Sequence, residues 1–329
     1  MAYSEQVLRR ARARLEAAKT ERVRENEAHR RIAYERYPRL EEIDRELRRT
    51  MARLTAAALR RGEDPGETVA EVREHNLALQ REREWILEAG DFEDGYLDDQ
   101  PICPECGGSG YCGSQMCSCL RELCRQEQKK ELTSLLGSGR ESFDSFRSDV
   151  YPDEYDPKLG VSPRALMQSN FHICKRYAAN FSSQSGNLLF SGATGLGKTF
   201  LSACIARQVA DRGFSVVYDS AIRMFADFEA VKFGTDDAEN RGRTRKYFEC
   251  DLLIVDDLGT EMTTQFTVSA LYDIVNTRLM DGRATILSTN LTDTELERRY
   301  SPQIASRLTG SYRLIQFAGQ DLRKLLSPV

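Results

Sequence analysis

Residues 191–200, SGATGLGKTF, carry side chains whose spacing suits a polyphosphate. Gly192, Gly197, Lys198 and Thr199 take the fixed places of the pattern G-x-x-x-x-G-K-[ST], with Ala193, Thr194, Gly195 and Leu196 between them. Backbone amides of such a loop point at phosphate oxygens, Lys198 neutralises the β- and γ-phosphates, and the Thr199 hydroxyl ligates Mg²⁺. A second constellation is DLLIVDDLGTE at 251–261. Its apolar run, Leu252 to Val255, ends in Asp256, placed to hold Mg²⁺ through water, and Asp257, placed to orient an attacking water. Asn290 closes the run ATILSTN and is a candidate for the γ-phosphate or its water. Together these residues read as an ATP-hydrolysing site.

A third constellation is thiol chemistry. Six of the nine cysteines fall within residues 103–124, so a local metal site accounts for them better than a set of disulfides. Cys103 and Cys106 form a CxxC pair followed by glycines that let amides turn toward thiolates, and Cys117 and Cys119 supply a second pair. These four make a closed tetrahedral Zn²⁺ site of structural type, with Cys112 or Cys124 as an alternative for one ligand.

Elements must position these groups. Residues 187–191 read as a buried strand leading into the phosphate loop, and residues after 198 as a helix with apolar positions at 201, 205 and 209. Further strands are read at 214–219, 252–255 and 284–290, and helices at 121–136, 164–181 and 221–234. Residues 235–248 read as a polar connector whose basic cluster Arg241, Arg243, Arg245 and Lys246 is a candidate for DNA phosphates or, equally, a solvated linker. At the N-terminus, residues 3–36 are nearly free of Gly and Pro. Leu40, Ile43, Leu47, Met51, Leu54 and Ala58 then form an amphipathic stripe, RGEDPGET at 61–68 a turn, and Val72, Leu79 and Ile86 a seven-residue repeat near Trp85. Residues 1–90 thus read as a helical hairpin or short antiparallel coiled coil, for oligomerisation or for a partner.

Composition bounds the reading. Hydrophobic content of 40% supports a core, and a net charge of −4 excludes a generally basic nucleic-acid binder. Charge is uneven, at +6 over residues 1–60 and −9 over residues 61–100, which marks a polar interaction module. No apolar run approaches the ~18 residues of a membrane span and no signal peptide is evident, so a cytoplasmic location without membrane contact is expected.

By its motifs in order, CPEC…CSCL, GATGLGKT, YFECDLLIVDDLGTE, ILSTN, IASRLTG and FAGQDLR, the chain resembles the AAA+ ATPases of the DnaC/DnaI helicase-loader and IstB group over roughly residues 100–326. The resemblance implies an α/β P-loop ATPase with a parallel sheet flanked by helices, preceded by the helical hairpin and the zinc knuckle. It implies Asn290 as sensor 1, Arg307 as an arginine finger acting on a neighbouring subunit's ATP, and Arg323 as sensor 2. Two departures stand out: Gln303 occupies a place where many relatives have a further arginine, and Asp257 is shorter than the usual Glu, which fits slow hydrolysis with Glu261 as a lesser substitute base. Expected domains are a partner-binding region 1–100, the knuckle 101–125, a linker 126–163 and the ATPase domain 164–329. The implied function is loading of a hexameric replicative DNA helicase, gripped through residues 1–100, onto single-stranded DNA. ATP would act as an assembly switch, with homo-oligomerisation through the ATPase domain. Alternatives are an IstB-like regulator of a transposase and a helical adaptor with a vestigial ATP site.

Overall fold

The structure, a computed structural model, describes residues 3–58, 66–136, 141–234 and 238–323. Without an internal Gly or Pro, the first helix α1 runs uninterrupted over Glu5–Arg36. Pro38, which fits the first turn of a helix but not its interior, opens α2 (Pro38–Ala58). The turn expected at 61–68 lies mostly outside the described residues, and from Gly66 the chain is already in α3 (Gly66–Ala89). A short hairpin of β1 (Tyr111–Cys112) and β2 (Gln115–Met116) leads into α4 (Ser118–Leu136). The chain divides into two compact units, one of Leu15–Gln115 and one joining Met1–Arg14 to Met116–Val329. This differs from the expected boundaries: the start of α1 belongs with the P-loop part, and α4 fills the beginning of the expected linker.

In the unit Leu15–Gln115, α2 and α3 pack as an antiparallel pair. Leu40 and Ile43 meet Leu79 and Ile86, with Ala33 and Leu97 completing the cluster. The direction of packing shows in its polar pairs. Arg39 donates to both Glu82 carboxylate oxygens at 2.8 and 3.0 Å, and Thr50 donates to Asn76 at 2.7 Å. Leu79 and Ile86 of the seven-residue repeat face this core and Val72 is also buried, whereas Trp85 is 68% exposed.

The larger unit is built on one sheet. After α5 (Pro163–Ala179) come β3 (Asn187–Ser191), α6 (Lys198–Asp211), β4 (Val216–Ser220), α7 (Ala221–Phe233) and α8 (Ala238–Glu249). They are followed by β5 (Leu252–Leu258), α9 (Gln265–Met280), β6 (Ala284–Thr289), α10 (Asp293–Arg299), α11 (Pro302–Ser311) and β7 (Tyr312–Gln316). The strands lie in the order β4-β5-β6-β3-β7, all parallel. Their side chains alternate between two cores, as a sheet covered on both faces requires. Leu188, Phe190, Leu252, Ile254 and Ile286 join one, and Leu189, Leu253, Val255 and Leu287 the other. Gln128 of α4 closes the edge at β4, donating to the Phe214 carbonyl and accepting from the Val216 N–H, each at 2.9 Å. At the chain start Val7 and Ala11 are buried in this unit, and the Tyr3 hydroxyl donates to the Gly213 carbonyl at 3.0 Å.

One element corrects the sequence reading. Residues 238–249, expected within a polar connector, form α8.

Candidate functional site

The chain leaves β3 through the glycine loop and enters α6 at Lys198. Gly192 adopts φ 151°, and a Cβ there would collide with the Phe317 carbonyl oxygen. Gly197 caps α6 with φ 93°, a left-handed conformation that glycine adopts without steric cost. The loop is braced from outside: the Phe317 N–H donates to the Ser191 carbonyl at 2.7 Å, the Leu322 N–H to that of Gly195 at 3.0 Å, and the Tyr151 hydroxyl to that of Leu196 at 3.1 Å. The Lys198 ammonium donates to the carbonyls of Gly192 (2.6 Å) and Ala193 (2.8 Å) inside the loop. Burial lowers its pKa, opposed by the charges of Asp257 and Asp256.

Thr199, at the start of α6, and the acidic pair at the end of β5 line the same cleft of 940 Å³. Asp256 is buried there, and both its oxygens are engaged: Oδ2 accepts from the Tyr218 hydroxyl of β4 at 2.7 Å, and Oδ1 from the Ser288 hydroxyl of β6. Burial and the neighbouring carboxylate hold the Tyr218 phenol well above its ordinary pKa, so it stays a donor. Asp257 is exposed to the cleft with φ 56°, in a sparsely populated conformation for a residue with a Cβ. Its pKa is raised, first by burial and then by Asp256, with Lys198 and Arg323 pulling the other way.

The remaining candidates fall in different places. Arg323 lines the cleft. Asn290 is exposed one residue beyond β6, whose Thr289 carbonyl accepts from the Gly192 N–H at 3.3 Å, but it is not among the residues lining the cleft. Glu261 is turned away into a buried network, accepting from the Gly259 N–H at 2.9 Å and from the Tyr300 hydroxyl. Arg307, on α11, is also outside the cleft lining. It donates to the Tyr272 hydroxyl at 2.8 Å and to Asn276 at 3.2 Å, with its guanidinium 4.6 Å from the centre of the Tyr272 ring.

Sequence reasoning missed most of the cleft wall. Phe146, Val150 and Tyr151, from the segment expected to be linker, line the cleft together with Tyr218, Arg223 and Leu322. The available signal was the recurrence of Phe143, Phe146 and Tyr151 within a stretch otherwise rich in Ser, Asp and Pro. Phe146 stacks on Phe171 of α5 with centroids 4.6 Å apart, which anchors that wall to the core.

Within the knuckle, the Sγ atoms of Cys103, Cys106, Cys117 and Cys119 all lie within 4.8 Å of one another. Tetrahedral Zn–S bonds of about 2.3 Å require S···S separations of about 3.8 Å, so the donor set suits one such ion. The Gly110 N–H points at Cys106 Sγ at 3.3 Å, a contact that stabilises a thiolate. Cys112 is exposed on β1 and Cys124 buried on α4, both outside the four. Burial pushes the Cys124 thiol up to about 11, opposite to what a thiolate ligand needs.

Of the basic cluster, Arg243 and Arg245 are exposed on α8, and the Arg241 side chain lies outside the described residues. Arg245 pairs with Glu249 at 2.6 Å, and Lys246 is engaged by Asp227 at 2.9 Å and Asp219 at 3.6 Å. These are not four equivalent solvated cations.

Residues 170–310 match the family described as IstB-like ATP binding protein. Over 188 residues, 56% of this chain, the sequence is 22% identical to the replicative helicase loader DnaC of Buchnera aphidicola (subsp. Acyrthosiphon pisum), covering 73% of that protein. It is 29% identical over 104 residues to a putative ATP-binding protein in an insertion sequence of Mycobacterium tuberculosis, covering 32% of this chain and 40% of that one. Among solved structures, the DnaC helicase loader aligns with a TM-score of 0.45 at 17% identity, over 54% of this chain and 97% of that one. The P-loop part of the chain is thus similar to the IstB-like and DnaC proteins, as its motifs led one to expect. No described helix is long and apolar enough to cross a membrane.

Proposed function

We propose that the cleft binds Mg·ATP and hydrolyses it slowly, and that the chain acts as a replicative helicase loader. The observation that carries the ATPase reading is the convergence of Lys198, Thr199, Asp256, Asp257 and Arg323 on one 940 Å³ cleft, within the usual size of a small-molecule site. Loop amides and Lys198 bind the phosphates, Thr199 and Asp256 hold Mg²⁺, and Asp257 orients the water. Mg²⁺ supplies charge neutralisation at the phosphates. Phe146, Val150, Tyr151 and Leu322 offer the apolar wall that a base needs.

Arg307 serves a neighbouring copy. Its place outside its own chain's cleft, against Tyr272, fits a group supplied in trans better than one acting in cis. Asn290 and Arg323 sense the nucleotide state, and the knuckle holds one structural Zn²⁺. Arg243 and Arg245 contact single-stranded DNA, while the helical region up to residue 100 grips a hexameric helicase. The loader reading is supported by the DnaC relatives. A second reading, regulation of a transposase, is favoured by the insertion-sequence relative and the IstB-like match.

Two measurements test this. Fluorescent-nucleotide titration should show Mg·ATP binding that Lys198→Ala loses; equal affinity in the variant contradicts the phosphate-loop role. Pull-down with a purified replicative helicase and with a transposase subunit separates the two readings by which one is retained.

A further inference from the structure

The acidic pair at the end of β5 is held by side chains that reach it from both neighbouring strands. Pairing of β5 with β6 runs in register to Val255↔Leu287, then shifts, so that the next pair is Leu258↔Thr289. Asp256 and Asp257 therefore stand opposite Ser288 alone, two residues against one, as in a β-bulge. Asp257 is the residue with φ 56°. Its N–H, at the point where the register shifts, donates to Ser288 Oγ at 2.9 Å. The same hydroxyl donates its own hydrogen to Asp256 Oδ1. Ser288 is fully buried, so no water competes for either bond. From the other side, Tyr218 donates to Asp256 Oδ2 at 2.7 Å.

We infer that Ser288 is the positioning residue for both carboxylates of the cleft, with Tyr218 as its counterpart on Asp256 alone. One hydroxyl acts as acceptor for the bulge and donor for the buried carboxylate. It fixes the kink that turns Asp257 out into the cleft while Asp256 stays inward. Neither Ser288 nor Tyr218 needs to touch nucleotide; they act by fixing the direction of the Asp256 oxygens and the backbone angle of Asp257. Loss of such supporting bonds around a metal-binding carboxylate typically costs 10–100-fold in metal affinity or activity. The inference rests on the reading of Asp256 as the Mg²⁺-holding acid.

The test is ATP turnover of the full chain as a function of Mg²⁺ concentration, with ATP affinity measured separately in EDTA. Ser288→Ala should raise the Mg²⁺ needed for half-maximal turnover by about 10-fold or more and lower the saturating rate, leaving Mg-free ATP affinity unchanged. Tyr218→Phe should shift the Mg²⁺ response with a smaller loss of saturating rate, because it leaves Asp257 alone. If Ser288→Ala lacks a wild-type thermal melt, Ser288→Cys, of similar volume but a weak donor, replaces it under the same criteria. A wild-type Mg²⁺ response and rate in the Ser288 variant, alongside an inactive Asp256→Asn, would overturn the inference while leaving the ATPase reading intact. Wild-type protein without Mg²⁺-dependent turnover would overturn both.

Discussion

Lys198 and Asp257 are perturbed in opposite senses by the same cleft: burial lowers the ammonium's pKa and raises the carboxyl's, each in part offset by the other's charge. For Asp257 this gives a signed expectation. Only the carboxylate can orient and accept from water, so turnover should fall as pH drops through its raised pKa. The acid limb of kcat/KM, which reports groups of the free enzyme, should therefore lie above the ~4 of an ordinary aspartate. A pH–rate profile checks this, and an acid limb at or below the ordinary value counts against Asp257. Asp257→Asn should keep ATP binding and lose about 10²-fold or more in turnover; retained turnover would reopen the question of the base, although Glu261 is already committed to Gly259 and Tyr300. At this scale the phosphate loop and the acidic pair were legible because their chemistry is written in adjacent residues. Ser288 and Tyr218 were not, because their roles arise from strands 70 residues apart in numbering that the sheet brings to either side of Asp256.

Among the elements, α8 was illegible for a physical reason. It contains Gly242 and no apolar period, so local propensity does not specify it. Tertiary contacts do. Tyr247 hydrogen-bonds with Asp219 and Asp227 at 2.9 and 2.7 Å, and the fully buried Arg278 of α9 donates to the carbonyls of Tyr247 and Cys250 at 2.9 and 3.1 Å and to Thr285 at 2.9 Å. Arg278→Met should cost at least about 3 kcal/mol, since several buried carbonyls lose their donor at about 1–3 kcal/mol each. A urea midpoint within error of wild type would refute that anchoring role. The knuckle, by contrast, was legible because paired cysteines announce themselves. Elemental analysis should give about one Zn per chain. Cys103→Ser or Cys119→Ser should lower that value, whereas Cys204→Ser, whose thiol burial pushes up to about 12, should not. Equal zinc content in all three would refute the assigned ligands.

For the whole molecule, the sequence announced a helical part and a P-loop part, yet not where they divide. Val7 and Ala11 are consistent with either destination until the fold buries them beside Tyr3 in the P-loop unit. Nor did it reveal the strand order, since five parallel strands of similar apolar pattern are interchangeable until the crossovers are known. At this scale hydrolysis turns on Arg307, which is held by Tyr272 and Asn276 and, as proposed, serves a neighbouring copy because it does not line its own cleft. A lone chain would then have a complete nucleotide pocket and an incomplete hydrolytic one. The direct measurement is ATP turnover on mixing Arg307→Ala, which retains a pocket but offers no finger, with Lys198→Ala, which cannot hold ATP but keeps its arginine. Each alone should be nearly inactive at any concentration, while the mixture should recover a measurable fraction of wild-type rate, because a finger of this kind is worth about 10³-fold or more. A mixture no more active than the sum of its parts, with wild-type turnover per chain flat in protein concentration, would contradict the account.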